Sequence, residues 1–140
     1  MGTIRGMADS RVQRIDTQVR LARAVVENLR PADLAAELES GRLVLVDVRE
    51  PDELDGGVID GAISVPRGVV EFAANPNPPA HCAALDPARR VVVYSDTGSR
   101  SALVASTLYA LGFRDVAHLE GGLVAWVADG RALTTWRVTR

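Results

Sequence analysis

The sequence predicts an open α/β domain built on a mainly parallel sheet, and three observations carry that prediction. Short, mostly apolar runs recur at Leu43–Val48, Ala62–Val65, Val91–Tyr94 and Val116–Leu119. Little polar alternation interrupts them, as expected of strands covered on both faces. Helical patterns alternate with them, which argues for crossover connections rather than hairpins. The chain has 140 residues, 47% hydrophobic and 24% charged, a size and balance that suit one domain with its own core.

The first element is a helix. Val12, Ile15, Val19, Ala22, Val26 and Leu29 recur at alternating intervals of three and four, one apolar stripe, with Ser10 and Gln13 spaced as a capping box. The stripe can pack on its own domain or pair with a second copy, and its short length favours self-packing. Its end is ambiguous, because residues 25–29 also read as a short strand before Pro31. Residues 32–40 form a short helix that Gly41 stops, ahead of the first long apolar run. Residues 70–90, with prolines at 76, 78 and 79, show no period and are expected to be a long surface loop. A helix from Arg100 to Leu111 places Val104, Leu108 and Leu111 on one face, with Gly112 closing it and Phe113 folding back.

Composition excludes several chemistries. All sixteen basic residues are arginine, so neither a Schiff-base lysine nor a phosphate-cradling lysine is present. Cys82 is the sole cysteine, which excludes an intramolecular disulfide and a multi-cysteine zinc site. His81 adjoins it, but two ligands make a weak metal site, and neither metal nor cofactor is expected. No run approaches the roughly eighteen apolar residues of a membrane span, and arginines occupy the region where a signal peptide is apolar. A cytoplasmic location without membrane attachment is the resulting expectation. Residues 1–30 carry six Arg against three acids, while residues 31–140 carry ten against fifteen. That acidic body does not suit a nucleic-acid partner.

The chemistry is expected beyond the carboxyl ends of the strands. Ser95-Asp96-Thr97-Gly98-Ser99-Arg100 runs from the strand 91–94 straight into the helix, with Ser101 following. Such a loop can turn its backbone N–H groups inward at a helix N-terminus, forming an anion cradle to which Arg100 can add charge.

Three separated segments then converge on one family. Leu45–Glu53 with Gly57–Pro66 resembles the first signature of rhodanese domains; the loop through Ser101, then Leu108–Phe113 and Leu119–Trp126, resembles the second. Arg67–Phe72 and the proline-rich stretch after it are similar to an insertion in some single-domain bacterial members. The resemblance covers residues 28–135, leaving 1–27 as an N-terminal helical extension and 136–140 as a tail. It implies a five-stranded, mainly parallel sheet flanked by helices, and a sulfurtransferase reaction. In active members a cysteine takes a sulfane sulfur from a donor such as thiosulfate and passes it on from a persulfide. Related phosphatases use a loop one residue longer, so the length from Ser95 to Arg100 favours sulfur.

The resemblance puts Ser95 where the nucleophilic cysteine stands. A hydroxyl forms no transferable persulfide, so the chain as written is expected to be non-catalytic. Natural loss of the thiol is preferred over a substitution made to trap the site, in which case the chain is a thiosulfate sulfurtransferase with Ser95 as the replacement. Val58 is a second departure, standing where many members have histidine. The expected catalytic positions are Ser95 and Arg100, within an anion-binding loop of Ser95, Asp96, Thr97, Gly98, Ser99, Arg100 and Ser101. Asp47 and Arg49 are expected to brace the strand end, and Asp96 to add negative charge at the mouth. The expected partners are a thiosulfate-like anion or a sulfur-carrier protein, and a homodimer through the N-terminal helix is the alternative to its self-packing.

Simpler roles compete with these. Ser95 is better read as a cap than as a hydrolase serine, since only His81 and His118 could serve as base and the side chain of His118 is expected to point away from the loop. Cys82 reads as an ordinary loop thiol, Gly98 as a conformational glycine, and Trp126 as core packing behind Gly121-Gly122.

Overall fold

The structure, a computed structural model, describes residues 12–137. Five strands form one parallel sheet in the order β1-β5-β4-β2-β3: β1 (Glu27–Leu29), β2 (Leu43–Asp47), β3 (Ile63–Ser64), β4 (Arg90–Tyr94) and β5 (Val116–Leu119). The helices are α1 (Ile15–Val25), α2 (Pro31–Ser40), α3 (Val70–Ala74), α4 (Ser99–Ala110) and α5 (Gly122–Ala128), with 3₁₀ turns at Pro51–Gly56 and Arg67–Val69.

Alternation along the strands divides the core. Val44, Val46, Val91, Val93 and Val116 face one side, packed with Leu108, Phe113 and Leu85. Leu45, Val92, Tyr94, Ala117 and Leu119 face the other, packed with Leu34, Leu123 and Trp126. Both faces are therefore covered, which is why the central strands read as continuous apolar runs. The residues 25–29 resolve their ambiguity by dividing: α1 ends at Val25 and β1 begins at Glu27.

Helix α1 packs on α4 of its own domain, burying Ala22. Val12 and Ile15, at the start of the stripe, stay exposed, and the Ser10 cap lies outside the described residues. Gly112 closes α4 at φ 109°, and Phe113 N–H returns to Leu108 O at 3.0 Å.

The stretch 70–90 corrects the expectation of a surface loop. Val70, Ala73, Ala74 and Leu85 are buried in it, and Cys82 N–H donates to Ala73 O at 2.8 Å, folding it onto the first core face. A five-residue helix is too short to show a period, so α3 left no trace in the spacing. Cys82 belongs to this packing, half-buried against the core.

At the far end of the sheet, Arg90 joins elements that the chain order separates. Its Nη2 lies 2.8 Å from Glu37 Oε2, and its Nη1 lies 3.1 Å from Glu27 Oε1 and 2.7 Å from Asp115 Oδ1. At the edge, Val58 and Thr134 exchange backbone hydrogen bonds of 2.9 and 2.8 Å. Val58 is buried beneath that returning segment, so the apolar side chain suits its place. Among the described residues no helix is long and apolar enough to cross a membrane.

Candidate functional site

The register of β2 on β4 sets Asp47 beside Tyr94 at the carboxyl ends, and the next residue on the β4 side is Ser95. The loop Ser95–Gly98 and the start of α4 thus sit on a rigid floor. Arg49 and Asp47 make that floor, both buried. Arg49 Nη2 donates to Asp47 Oδ2 at 2.8 Å and Nε to Oδ1 at 3.1 Å, while Nη1 and Nη2 reach the carbonyls of Glu53 and Gly57 at 3.1 and 2.9 Å. The guanidinium also stacks over Tyr94, 5.9 Å from its centroid. Burial opposes the charge on Arg49, yet the hydrogen bond and attraction from Asp47 outweigh it and raise its pKa. Burial and the nearby Asp47 push the Tyr94 phenol above the usual range, so it stays neutral and accepts from Ile59 N–H at 3.1 Å. These contacts join the end of β2 to the 3₁₀ turn 51–56 and to Gly57.

Ser95 is buried, with its side chain turned into the loop. Its Oγ accepts from the N–H groups of Gly98 at 3.2 Å and Ser101 at 3.1 Å. Gly98 adopts φ 100°, which bends the chain so that this N–H points back. The N–H groups of Asp96, Thr97, Ser99 and Arg100 have no acceptor among the described residues. They lie at the N-terminus of a twelve-residue helix, where the first N–H groups have no partner within the helix.

The carbonyls of the loop are held from behind. Leu123 N–H donates to Ser95 O at 2.9 Å and Val124 N–H to Asp96 O at 3.0 Å, so the first turn of α5 fixes the loop's back. A Cβ on Gly122 would stand 2.4 Å from Asp96 O, which is why a glycine with φ 63° is needed there. The carbonyls of Ser95 and Asp96 are thus both held by α5. The pair Gly121-Gly122 was legible only as a turn, and its contact with the loop has no signature in spacing.

Arg100 does not aim an unpaired charge into the cradle. Its Nη1 and Nη2 bind Glu53 Oε1 and Oε2 at 2.6 and 2.8 Å. The hydrogen bond from Arg100 holds the Glu53 carboxyl far below its usual range, at about 2. Glu53 is a site residue that the sequence reading did not single out, and its sequence separation of 47 from Arg100 explains why. The pair ties the 3₁₀ turn 51–56 to α4 and occupies both terminal nitrogens of the Arg100 guanidinium.

His118 corrects another expectation. It points toward the loop's base, fully buried, with Nδ1 at 3.0 Å from Ser101 Oγ. It contacts Ser101 and not Ser95, so no base stands beside the Ser95 hydroxyl among the described contacts. His81 lies elsewhere, its Nδ1 at 3.2 Å from Ala73 O. No group of three or more metal-binding side chains occurs among the described residues. Trp126 is buried in the second core face and donates to Ala132 O at 3.0 Å, as a packing residue.

Known proteins resemble this chain in sequence and fold. The model of the rhodanese-like domain matches residues 30–129. A probable adenylyltransferase/sulfurtransferase MoeZ of Mycobacterium tuberculosis is 40% identical over 97 residues, 69% of this chain and 23% of that protein. The chain thus spans under a quarter of that relative. A sulfurtransferase of Allochromatium vinosum is 31% identical over 63% of this chain and 75% of its own. Among solved structures, a protein of unknown function from Rhodopseudomonas palustris, a possible tyrosine phosphatase, aligns with TM-score 0.83 at 35% identity, covering 88% of this chain and 96% of that one. The polysulfide-sulfur transferase homodimer of Wolinella succinogenes aligns with TM-score 0.67 at 33% identity, over 84% and 85%. A parallel five-stranded sheet in this order, two signature segments meeting at one loop, and a family model spanning most of the chain lead to one conclusion: the chain belongs to the family of rhodanese-like domains.

Proposed function

We propose that this rhodanese-like domain is a non-catalytic binding module of the sulfurtransferase superfamily, with Ser95 at the position of the family's nucleophilic cysteine. Its loop takes a small sulfur-containing anion, or the anionic end of a sulfur-carrier protein. The observation that carries this reading is the pairing of the Ser95 hydroxyl. It is used as an acceptor for two loop N–H groups, with no base beside it, while four further N–H groups of the loop have no acceptor among the described residues. An oxygen so placed shapes the cradle and has no means of becoming a nucleophile. Titration with sodium thiosulfate tests the reading. Backbone amide resonances of residues 95–101 are expected to shift saturably, and unmoved amides would refute the cradle.

A second reading is supported by the completeness of the surroundings. The Asp47–Arg49 brace, the Arg100–Glu53 pair and the inward N–H groups suit a thiolate in place of the hydroxyl. Ser95 is then a replacement in a thiosulfate sulfurtransferase. In Ser95→Cys the thiolate attacks the sulfane sulfur of thiosulfate, the S–S bond of thiosulfate breaks, and sulfite leaves with the electron pair. Cyanide then takes the sulfane sulfur as thiocyanate and frees the thiolate. A gain of several orders of magnitude in thiocyanate formation supports this reading, and no gain over the Ser95 protein removes it.

The expected homodimer through α1 belongs to the same proposal. Its contact surface would be Val12, Ile15, Leu21 and Val25, which remain exposed. Sedimentation equilibrium should give a dimer that Leu21→Arg with Val25→Arg dissociates. A monomer at high concentration would exclude it. A cytoplasmic setting suits such a module and is likewise proposed.

A further inference from the structure

The hydrogen-bond directions around His118 follow from its neighbours. Asn28 Nδ2 donates to the carbonyls of Arg23 and Val26 at 3.0 and 3.2 Å, which turns Asn28 Oδ1 toward His118 Nε2 at 2.7 Å. An amide oxygen only accepts, so Nε2 carries hydrogen and Nδ1 of the neutral ring is the acceptor. The hydroxyl of Ser101, 3.0 Å away, therefore donates to Nδ1. That hydroxyl has a second acceptor in reach, Gly98 O at 3.1 Å, and one hydrogen cannot serve both.

A proton on Nδ1 reverses the choice. The ring then donates to Ser101 Oγ, and the hydroxyl hydrogen swings to Gly98 O without movement of any heavy atom. Gly98 C=O and Ser99 N–H belong to one peptide unit, so a hydrogen bond to that oxygen strengthens the Ser99 N–H as a donor. Ser99 N–H is among the unpartnered donors of the cradle. Gly98 and Ser101 also supply the two N–H groups that hold Ser95 Oγ.

The charges facing the ring are Glu120 and Arg23. Glu120 Oε2, buried and without a hydrogen bond among the described residues, lies 3.7 Å from Nε2, and Arg23 binds the other carboxylate oxygen at 2.7 Å. The remaining polar contacts, Asn28 and Ser101, are neutral. We propose that His118 is a positioning residue of the cradle, and that its protonation and the binding of an anion to the Ser95–Ser101 loop favour each other through the Ser101 hydroxyl. This rests on the cradle reading above and adds a regulation to it. Burial lowers the His118 pKa more than Glu120 restores it, and Arg23 lowers it further, so the free protein holds the ring neutral at neutral pH. An anion in the cradle shifts that balance.

The experiment follows the His118 ring resonance against pH in the full chain, with sodium sulfate or with sodium chloride of equal ionic strength. His81, outside the network, provides the control resonance. Sulfate is expected to raise the His118 midpoint, and by reciprocity sulfate binds about threefold to tenfold more tightly at pH 5.5 than at pH 8. His118→Gln should abolish that pH dependence while the amides of residues 95–101 still respond. Ser101→Ala keeps the imidazole and cuts the link, so its His118 midpoint should no longer answer to sulfate. Amide shifts with an unmoved wild-type midpoint overturn the coupling and leave the cradle standing. Silent amides overturn the cradle and the coupling with it. An undiminished response in Ser101→Ala overturns the route through the hydroxyl.

Discussion

Glu53 and Arg100 meet in a two-pronged ion pair, Oε1 to Nη1 at 2.6 Å and Oε2 to Nη2 at 2.8 Å, that closes the 3₁₀ turn 51–56 onto the first turn of α4. The consequence for stability has a definite sign. The folded carboxyl titrates near 2 against an ordinary value of 4.5, so its contribution is fully present above pH 4.5 and is lost as pH falls toward 2. Glu53→Gln should lower stability at neutral pH by about 0.5–1 kcal/mol, modest because both side chains are partly solvated. Denaturant unfolding at pH 7 and at pH 2.5 checks it: the difference between wild type and variant should shrink at the lower pH.

The Asp47–Arg49 pair should behave differently, because both partners are buried. Removing one leaves a charge without its counterion under Tyr94. Asp47→Ala is expected to cost about 3–5 kcal/mol, with the chain losing its cooperative thermal transition at moderate temperature. A loss below about 1 kcal/mol would show that the brace is dispensable.

Ser95→Ala tests the cap alone. Two N–H groups lose their acceptor, so unfolding should become easier by about 1–2 kcal/mol, and the amides of Gly98 and Ser101 should exchange faster. Ser95→Cys should exchange like the wild type. If Ser95→Ala is neutral in both readouts, the hydroxyl does not shape the loop.

Gly122→Ala places a methyl group 2.4 Å from Asp96 O at a backbone angle of φ 63°. The expected cost is about 1–3 kcal/mol from strain alone. The more telling readout is the loop itself: sulfate should no longer move the amides of residues 95–101, although the fold measured by circular dichroism persists.

How much of this was written in the sequence depends on the range of the interaction. The strands at 43–47, 90–94 and 116–119 declared themselves through mostly apolar runs, because both faces of the sheet are covered. Ser95–Arg100 stood out as a strand-to-helix loop with a central glycine, and Asp47 and Arg49 lie two residues apart at a strand end, where local reasoning reaches. Glu53 with Arg100, His118 with Asn28 and Leu123 with Ser95 are joined by the order in which strands lie side by side. Spacing along the chain does not encode that order. The same limit governs His118: strand alternation assigns it to the face of Val116, but only the pairing of β1 with β5 and the packing of α4 bring Asn28 and Ser101 to its two ring nitrogens.

The anchoring of the loop by Leu123 and Val124 separates shape from specificity. The back wall is backbone bonded to backbone, indifferent to which side chains the rim carries. Thr97 and Ser99, exposed on that rim, are free to be exchanged without recasting the socket. On the proposed reading, such a scaffold is readdressed to a new anion by substitutions at two surface positions, while the backbone that presents the donors stays untouched.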